Sequence, residues 1–364
     1  MARLFIFLAV LSLGACAPRA QLVLVPDPSR DAVIETVLVA TTRAFAEGQF
    51  TSERSEGLHY ARFDVAIPPE RESGEVSWPR HGTDLQADFV VSQADTLTSP
   101  GDFRAALRRE IAARPRGERE VMVFIHGFNS TFADGLYRTA QIRHDLDIPV
   151  IPVHYSWPSA GHPLGYIYDR DSALLARDGL EELLNEIIAA GAEDVGLMAH
   201  SLGAEVVMES LRQLRIGGQQ RVFDRLSGVL LLSPDIDVQI FRSQAARIGE
   251  LPQPFFIFTS QRDAALRLSA RVRGQQNRLG NIESIEDVAD LDVTIIDVSE
   301  FSGGRGDGLN HATPVSSPAM IQILTSAQRI SASLSESDAV RAGLLPGVVL
   351  TVRNATQIIL TPDI

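Results

Sequence analysis

The strongest constraint on the fold is a regular alternation of apolar runs and amphipathic segments after residue 119. The apolar runs include EVMVFIHGFN, PVIPVHYSWPS, DVGLMAHS, LSGVLLLSPDID and PFFIFTSQRD, and each precedes a segment with helical spacing. Strands that are buried on both faces of a parallel sheet give such runs, and helices usually connect them. The pattern therefore predicts an α/β fold with a mostly parallel central sheet and helices on both faces. In such sheets, ligands bind beyond the carboxyl ends of the strands.

The flanking regions are interpreted differently. Residues 34–95 hold short β-prone runs separated by polar turns, which predict an antiparallel N-terminal edge. Thr131 and Asp134 have the spacing of a helix N-cap and its capping partner. We place the main domain at residues 34–333, and we interpret residues 334–364 as a C-terminal strand-like hairpin that covers a sheet edge.

The N-terminus has the pattern of an export signal. A positive charge at Arg3 is followed by the apolar run LFIFLAVLSL and then LGAC, in which Cys16 is the only cysteine. This pattern predicts a bacterial lipoprotein signal peptide over residues 1–15, lipidation of Cys16 and a linker over residues 16–33. The alternative is an ordinary secretory signal. We expect a lipid-anchored protein of the cell envelope, in the outer membrane of a two-membrane organism because Ala17 follows the cysteine.

Composition excludes several classes of partner and cofactor. Lys and Arg total 33 against 46 acidic residues, and a net charge of -13 argues against nucleic acid or an anionic membrane surface as the main partner. A lone cysteine allows neither a disulfide framework nor a thiolate metal site. The sequence has no His-Glu-x-x-His motif, and its glycine runs lack the lysine of a phosphate-binding loop. We therefore predict no metal and no cofactor.

A candidate nucleophile lies at one of the predicted strand ends. The run from Ala199 to Gly203 reads AHSLG and differs at one position from Gly-x-Ser-x-Gly, the nucleophile elbow that exposes a serine between a strand and a helix. Ala is the smallest side chain that could replace the first glycine. Ser201 is therefore either a catalytic nucleophile or a cap of the following helix.

Chain order selects the partners that Ser201 would need. In enzymes with this elbow the acid and then the histidine follow the serine, and His311 is the only histidine after Ser201. Asp263, the last residue of the strand-like run PFFIFTSQRD, is the favoured acid, and Asp235 or Asp237 in the preceding run is the alternative. Each aspartate could instead cap the helix that follows it.

The same strand ends supply an oxyanion hole and a possible pocket. Leu202, directly after the serine, and Phe128, in the turn FIHGFNST, are the expected backbone N–H donors. Tyr155 and Trp157 could line an acyl or aryl pocket, although Trp157 could also only pack on the next helix.

Several longer segments resemble one known family. They are VMVFIHGFNSTFADGLYRTAQIRHDL, HYSWPSAGHPLGYIYDRDSALLARDGLEELL, MAHSLGAEVV, SPDID and SQRDAALRLSARV, and the resemblance spans roughly residues 36–330. Together they are similar to DUF900, a bacterial α/β-hydrolase family of unknown function. The resemblance implies an α/β-hydrolase fold with Ser201 as nucleophile, Asp263 as acid and His311 as base. It does not name a substrate.

The residues and the resemblance together indicate a serine hydrolase. We expect a carboxylesterase or lipase-like enzyme that cleaves a small-molecule or lipid ester through an acyl-enzyme, with the membrane contacted through lipidated Cys16. Two alternatives stay open, since a fold does not decide function. One is an envelope scaffold without turnover, and the other is an acyltransferase.

Overall fold

One mixed sheet organises the protein, for which a computed structural model describes residues 19–80, 82–273, 277–305, 307–331 and 347–361. Within these residues the strands are β1 Val33–Ala46, β2 Gln49–Ile67, β3 Val90–Leu97, β4 Val121–Ile125, β5 Ile151–Ser156, β6 Val195–His200, β7 Leu226–Leu232, β8 Phe255–Thr259, β9 Thr294–Asp297, β10 Gly347–Val352 and β11 Ala355–Leu360. Their order across the sheet is β10-β11-β9-β8-β7-β6-β4-β5-β1-β2-β3.

Strand directions confirm the predicted sheet. Strands β9, β8, β7, β6, β4, β5 and β1 form a continuous parallel block. At one edge β1, β2 and β3 pair antiparallel, which confirms the antiparallel N-terminal edge. At the other edge β10 and β11 form a hairpin, and β11 pairs in parallel with β9. The residues after 347 therefore extend the sheet.

Helices cover both faces. They are α1 Pro100–Ala112, α2 Phe132–Leu146, α3 Tyr166–Ala190, α4 Gly203–Ile216, α5 Gln220–Phe223, α6 Val238–Ile248, α7 Ala264–Arg273, α8 Thr313–Ser316 and α9 Pro318–Ser331, with short 3-10 turns at Leu279–Asn281 and Ile285–Val288. Buried side chains of α1, α3, α4 and α6 form a core with one face of the sheet, whereas α2 and α9 pack on the other. The helices therefore bury the apolar faces of the parallel strands.

Local sequence signals explain several boundaries. Thr131 caps α2 and exchanges side-chain and backbone hydrogen bonds with Asp134, which confirms the predicted capping box. Helix α1 was not predicted, although Ser99 accepts a hydrogen bond from the Asp102 N–H and Pro100 occupies its first turn. Strand β2 begins ten residues before the predicted run at residue 59, because pairing with β1 extends a polar segment that has little β-propensity of its own.

The register of the central strands determines where the site forms. Ile125 of β4 lies opposite Ala199 of β6, so the segments that follow the two strands emerge side by side at the carboxyl end of the sheet. The loop between β4 and α2 is therefore next to the β6–α4 turn. None of the described helices is long and apolar enough to cross a membrane.

Candidate active site

Ser201 lies in a sharp turn between β6 and α4. Its φ of 53° is in the left-handed region, which a serine rarely adopts without a local requirement. The turn is held because the Ser201 N–H donates to the Leu232 carbonyl at 2.9 Å and the Ser201 carbonyl accepts from the Asp235 N–H at 3.2 Å. Leu202 is the N-cap of α4 and has no side-chain capping bond. The Ser201 hydroxyl is therefore not used to cap the helix.

The small residues around the serine allow this turn to pack closely. A Cβ atom at Gly203 would lie 2.5 Å from the His126 carbonyl oxygen and 2.6 Å from that of Ile125, so any side chain there would displace the backbone after β4. Ala199 is fully buried where the elbow motif usually has its first glycine. The fold accommodates that methyl group, and the elbow keeps its left-handed serine.

His311 and Asp263 meet beside this turn. The Asp263 carboxylate is fully buried, and its Oδ2 lies 2.7 Å from His311 Nδ1. Its other oxygen, Oδ1, accepts from the Leu266 N–H at 2.9 Å at the start of α7. Asp263 therefore caps a helix and also orients the imidazole. The ring of His200, next to the serine, lies 4.6 Å from the ring of His311.

The pKa values of the two adjacent histidines, His311 and His200, are shifted in opposite directions. Burial lowers the pKa of His311, but the charge and hydrogen bond of Asp263, with the charges of Asp235 and Asp307, raise it more, so its net pKa is above the usual range. Burial and the neighbouring His311 lower the pKa of His200 to about 3. His311 is therefore the member of the pair that can take up a proton near neutral pH.

The alternative acid is held in a different set of contacts. Asp235 accepts hydrogen bonds from the Tyr166 hydroxyl at 2.8 Å and from the Ser269 hydroxyl at 2.9 and 2.8 Å, and Arg278 Nε lies 3.4 Å away. Asp237 caps α6. Of the three candidate carboxylates, the structure places Asp263 against His311.

Ser201 and His311 are close in the fold but are not joined in this structure. No hydrogen bond between the Ser201 hydroxyl and the His311 ring occurs in the described part of the chain, whereas the His311 carbonyl is 2.9 Å from His200 Nε2. Such bonds are often long or poorly aligned in enzymes without substrate. A reaction between the two groups therefore requires the side chains to approach when substrate binds.

Two backbone N–H groups next to the serine are available to an oxyanion. A Cβ atom at Gly127 would lie only 2.7 Å from Ser201 Cβ, so the β4–α2 loop presses directly against the serine. Neither the Phe128 N–H nor the Leu202 N–H donates to another protein group within the described residues. These are the two N–H groups that the sequence predicts as donors to the oxyanion of an acyl-transfer reaction.

A buried carboxylate on α3 holds this loop in place. Asp169 is fully buried and accepts from the Asn129 N–H at 3.0 Å, the Ser159 hydroxyl at 2.5 Å and the Ala160 N–H at 2.6 Å. Burial raises its pKa, although these hydrogen bonds favour the charged form. Asn129 follows Phe128 directly, so Asp169 fixes the peptide next to one proposed oxyanion donor.

Arg43 of β1 hydrogen-bonds to the β4–α2 loop and to the segment after β5. Its guanidinium donates to the Ser130 carbonyl at 2.9 Å, the Ser159 carbonyl at 3.1 Å and the Ser156 hydroxyl at 2.9 Å. Burial lowers the pKa of Arg43 to about 10, which still leaves it charged at neutral pH. No sequence motif marks Arg43. Asp169 is indicated only as part of the segment HYSWPSAGHPLGYIYDRDSALLARDGLEELL, which resembles the family.

A cavity of 310 Å³ lies next to the β6–α4 turn, and its lining includes neighbours of Ser201 and His311 but neither of these two residues. Gly127, His200 and Ala312 line it, together with Val76, Trp78, Arg80, Phe124, His126, Ser130, Asp134, Gly135, Arg138, Arg305, Asp307 and Val315. Its volume is at the lower end of the range for small-molecule sites, about 300–1,000 Å³.

The aromatic residues expected to line a pocket lie elsewhere. Tyr155 is fully buried and donates to the Ala176 carbonyl at 2.5 Å. Trp157 is also fully buried, stacks on His126 at 4.8 Å and donates to its carbonyl at 2.7 Å. This corrects the pocket-lining expectation, because both rings are enclosed by the core and neither borders the cavity.

The described residues contain no group of three His, Cys, Asp or Glu side chains that could hold a metal ion. Cys16, the predicted lipidation site, lies outside the described residues.

Comparison with known proteins gives a family and a set of structures. Similar solved structures include lipase B of Aspergillus fumigatus, with 11% identity and a TM-score of 0.28 over 40% of this chain and 38% of that chain. They also include a fungal esterase of Rhizomucor miehei, with 12% identity and a TM-score of 0.35 over 92% and 89%. The esterase Pf2001 of Pyrococcus furiosus has 10% identity and a TM-score of 0.32 over 78% and 90%. This chain thus spans 38% of the length of the Aspergillus lipase.

The family assignment comes from the sequence itself. No curated protein matches the chain. Residues 100–329 match the sequence profile of an α/β hydrolase family whose function is unknown. This stretch holds the elbow, both members of the His311–Asp263 pair and the β4–α2 loop. The chain belongs to this family, DUF900, and has its α/β-hydrolase fold.

Proposed function

We propose that the protein is a serine hydrolase that cleaves an ester bond through a covalent acyl-enzyme. The observation that carries this proposal is the 2.7 Å contact between His311 and the buried Asp263 beside a serine in left-handed conformation. The two unused N–H groups of Phe128 and Leu202 support the same chemistry.

The first half-reaction forms the acyl-enzyme. Ser201 Oγ attacks the substrate carbonyl carbon while His311 Nε2 takes the hydroxyl proton. The carbonyl oxygen becomes an oxyanion and accepts hydrogen bonds from Phe128 and Leu202. As the C–O bond to the leaving group breaks, His311 returns the proton to the departing alcohol.

The second half-reaction releases the acid. A water molecule attacks the acyl carbonyl while His311 takes its proton, and the same two N–H groups again stabilise the oxyanion. Collapse of this intermediate frees the carboxylic acid and restores the Ser201 hydroxyl. Asp263 stabilises the imidazolium formed in each half-reaction, which agrees with the raised pKa of His311.

The test is hydrolysis of p-nitrophenyl esters, from acetate to longer acyl chains, by the full-length protein purified in detergent. We expect turnover well above the background rate, with a chain-length preference that describes the space available to the acyl group. A folded protein with no activity on any of these esters would contradict the proposal and favour a scaffold without turnover.

Asp169 offers a test of the proposed oxyanion hole. Asp169→Asn is expected to lower kcat about 10- to 100-fold with little change in KM, because loss of one oxyanion donor costs about 10²–10³ and a displaced donor costs less. The matched control is Asp171→Asn, two residues along the same helix and exposed, which should keep normal activity. Equal kcat values for the two folded variants, checked by thermal unfolding, would show that Asp169 does not position the loop.

A further inference from the structure

The N-terminal segment is attached to the mouth of the site. Arg19 hydrogen-bonds to the Asn129 side chain, in the peptide segment that follows Phe128. The Thr131 hydroxyl donates to the Ala20 carbonyl at 3.1 Å, and Ala20 is buried. Residues that the sequence assigns to a linker therefore lie along the β4–α2 loop.

This attachment limits where a lipid on Cys16 can lie. Cys16 precedes Arg19 by three residues. A chain extends by at most about 3.6 Å per residue, so the two Cα atoms are separated by no more than about 11 Å. A lipid on Cys16 is therefore held close to the loop that supplies Phe128. A long flexible linker would have left the orientation of the domain free.

Four large apolar side chains are exposed on segments that contact residues of the site, and we call them the apolar rim. They are Leu164 (86% exposed), Ile167 (77%), Leu268 (60%) and Leu309 (54%). Leu164 and Ile167 flank Tyr166, whose ring contacts Phe128 edge-on at 5.2 Å.

The other two members of the apolar rim are also connected to the site. Leu268 precedes Ser269, whose hydroxyl lies 3.1 Å from that of Tyr166. Leu309 lies two residues before His311, and its carbonyl accepts from the Ala264 N–H at 3.0 Å, next to Asp263. Exposed apolar side chains that form one patch are typical of surfaces that contact lipid or apolar ligands.

We propose that lipidation of Cys16 turns the active-site mouth toward the bilayer that holds the anchor, with the apolar rim inserted into its surface. The substrate would then be an ester-bearing lipid of that bilayer. This assignment of substrate rests on the ester hydrolysis proposed above, whereas the orientation does not. The anchor and apolar contact would determine the orientation, since a net charge of -13 does not favour an anionic surface.

The orientation can be measured without reference to catalysis. Full-length protein isolated from bacterial membranes would carry a fluorescent label at Leu164→Cys or Leu268→Cys, since lipidation consumes the native thiol. The matched control is Arg116→Cys, an exposed position in the loop before β4 at the opposite end of the sheet. Each protein is placed in phosphatidylethanolamine and phosphatidylglycerol vesicles that contain nitroxide-labelled lipid.

We expect the labels at 164 and 268 to be quenched at least about twofold more than the label at 116. Equal quenching at the three positions, stronger quenching at 116, or an unmodified Cys16 by mass spectrometry would overturn the orientation. Release of fatty acid from the vesicle phospholipids supports the assigned substrate class. Hydrolysis of p-nitrophenyl acetate without release of fatty acid from the vesicles would overturn the assigned substrate class alone. Inactivity on both p-nitrophenyl acetate and the vesicles would count against the proposed function but not against the orientation.

Discussion

Replacing Ser201 with alanine is expected to reduce ester hydrolysis by at least about 10⁴-fold. The reason is that the acyl-enzyme cannot form without the hydroxyl, and loss of such a nucleophile in a serine protease costs about 10⁶ in kcat. The residual rate would come from substrate binding and the two oxyanion donors. Initial rates with p-nitrophenyl acetate under saturating conditions would measure the effect.

Ser233 provides an unusually close control for this variant. It also directly follows a central strand, β7, is almost fully buried and has a left-handed φ of 46°. Ser201→Ala and Ser233→Ala therefore place the same methyl group in similar backbone strain, and similar melting temperatures are expected. Activity lost in Ser233→Ala and retained in Ser201→Ala would contradict the assigned nucleophile.

The second large effect is expected at Asp263. Asp263→Asn should lower kcat by about 10³–10⁴, because the amide neither favours the required imidazole tautomer nor stabilises the imidazolium. The control is Asp235→Asn, for which we expect a loss of less than about tenfold, because its carboxylate contacts Tyr166 and Ser269 rather than the His311 ring. A larger loss of kcat in Asp235→Asn than in Asp263→Asn would identify Asp235 as the acid.

The pH dependence of kcat/KM reports on the same pair, His311 and Asp263. His311 acts as a base only when neutral, so kcat/KM rises with pH through its pKa. Asp263 raises that pKa, which places the acidic limb of the profile above the usual histidine range. In Asp263→Asn the limb should move to lower pH. If the acidic limb of Asp263→Asn stays at the same pH, Asp263 does not raise the pKa of His311 in solution.

Much of the fold follows from the sequence pattern. The continuous apolar runs predicted the parallel strands because such strands are buried on both faces. The elbow, the position of His311 and the turn at Gly127 could be recognised because they follow strand ends, and parallel strands bring their ends together. The structure places the serine, Asp263, His311 and both N–H donors in one region.

Features that depend on tertiary contacts could not be predicted in this way. Arg43 and Asp169 hold the β4–α2 loop from two distant elements through separate hydrogen bonds to Ser130 and Asn129, and no local sequence pattern indicates such contacts. Burial of Tyr155 involves a contact with the distant Ala176 of α3, and the buried Trp157 stacks on His126 of another loop. Likewise, the contact of Arg19 with Asn129 joins residues that lie 110 positions apart.

Reaction of the full-length protein with a fluorophosphonate, followed by mass spectrometry of its peptides, tests most directly whether Ser201 is an activated nucleophile. We expect one phosphonyl adduct, on Ser201, that is greatly reduced in His311→Ala because the hydroxyl loses its base. A folded protein that forms no adduct at Ser201, or forms it equally well without His311, would contradict the assignment of an activated serine.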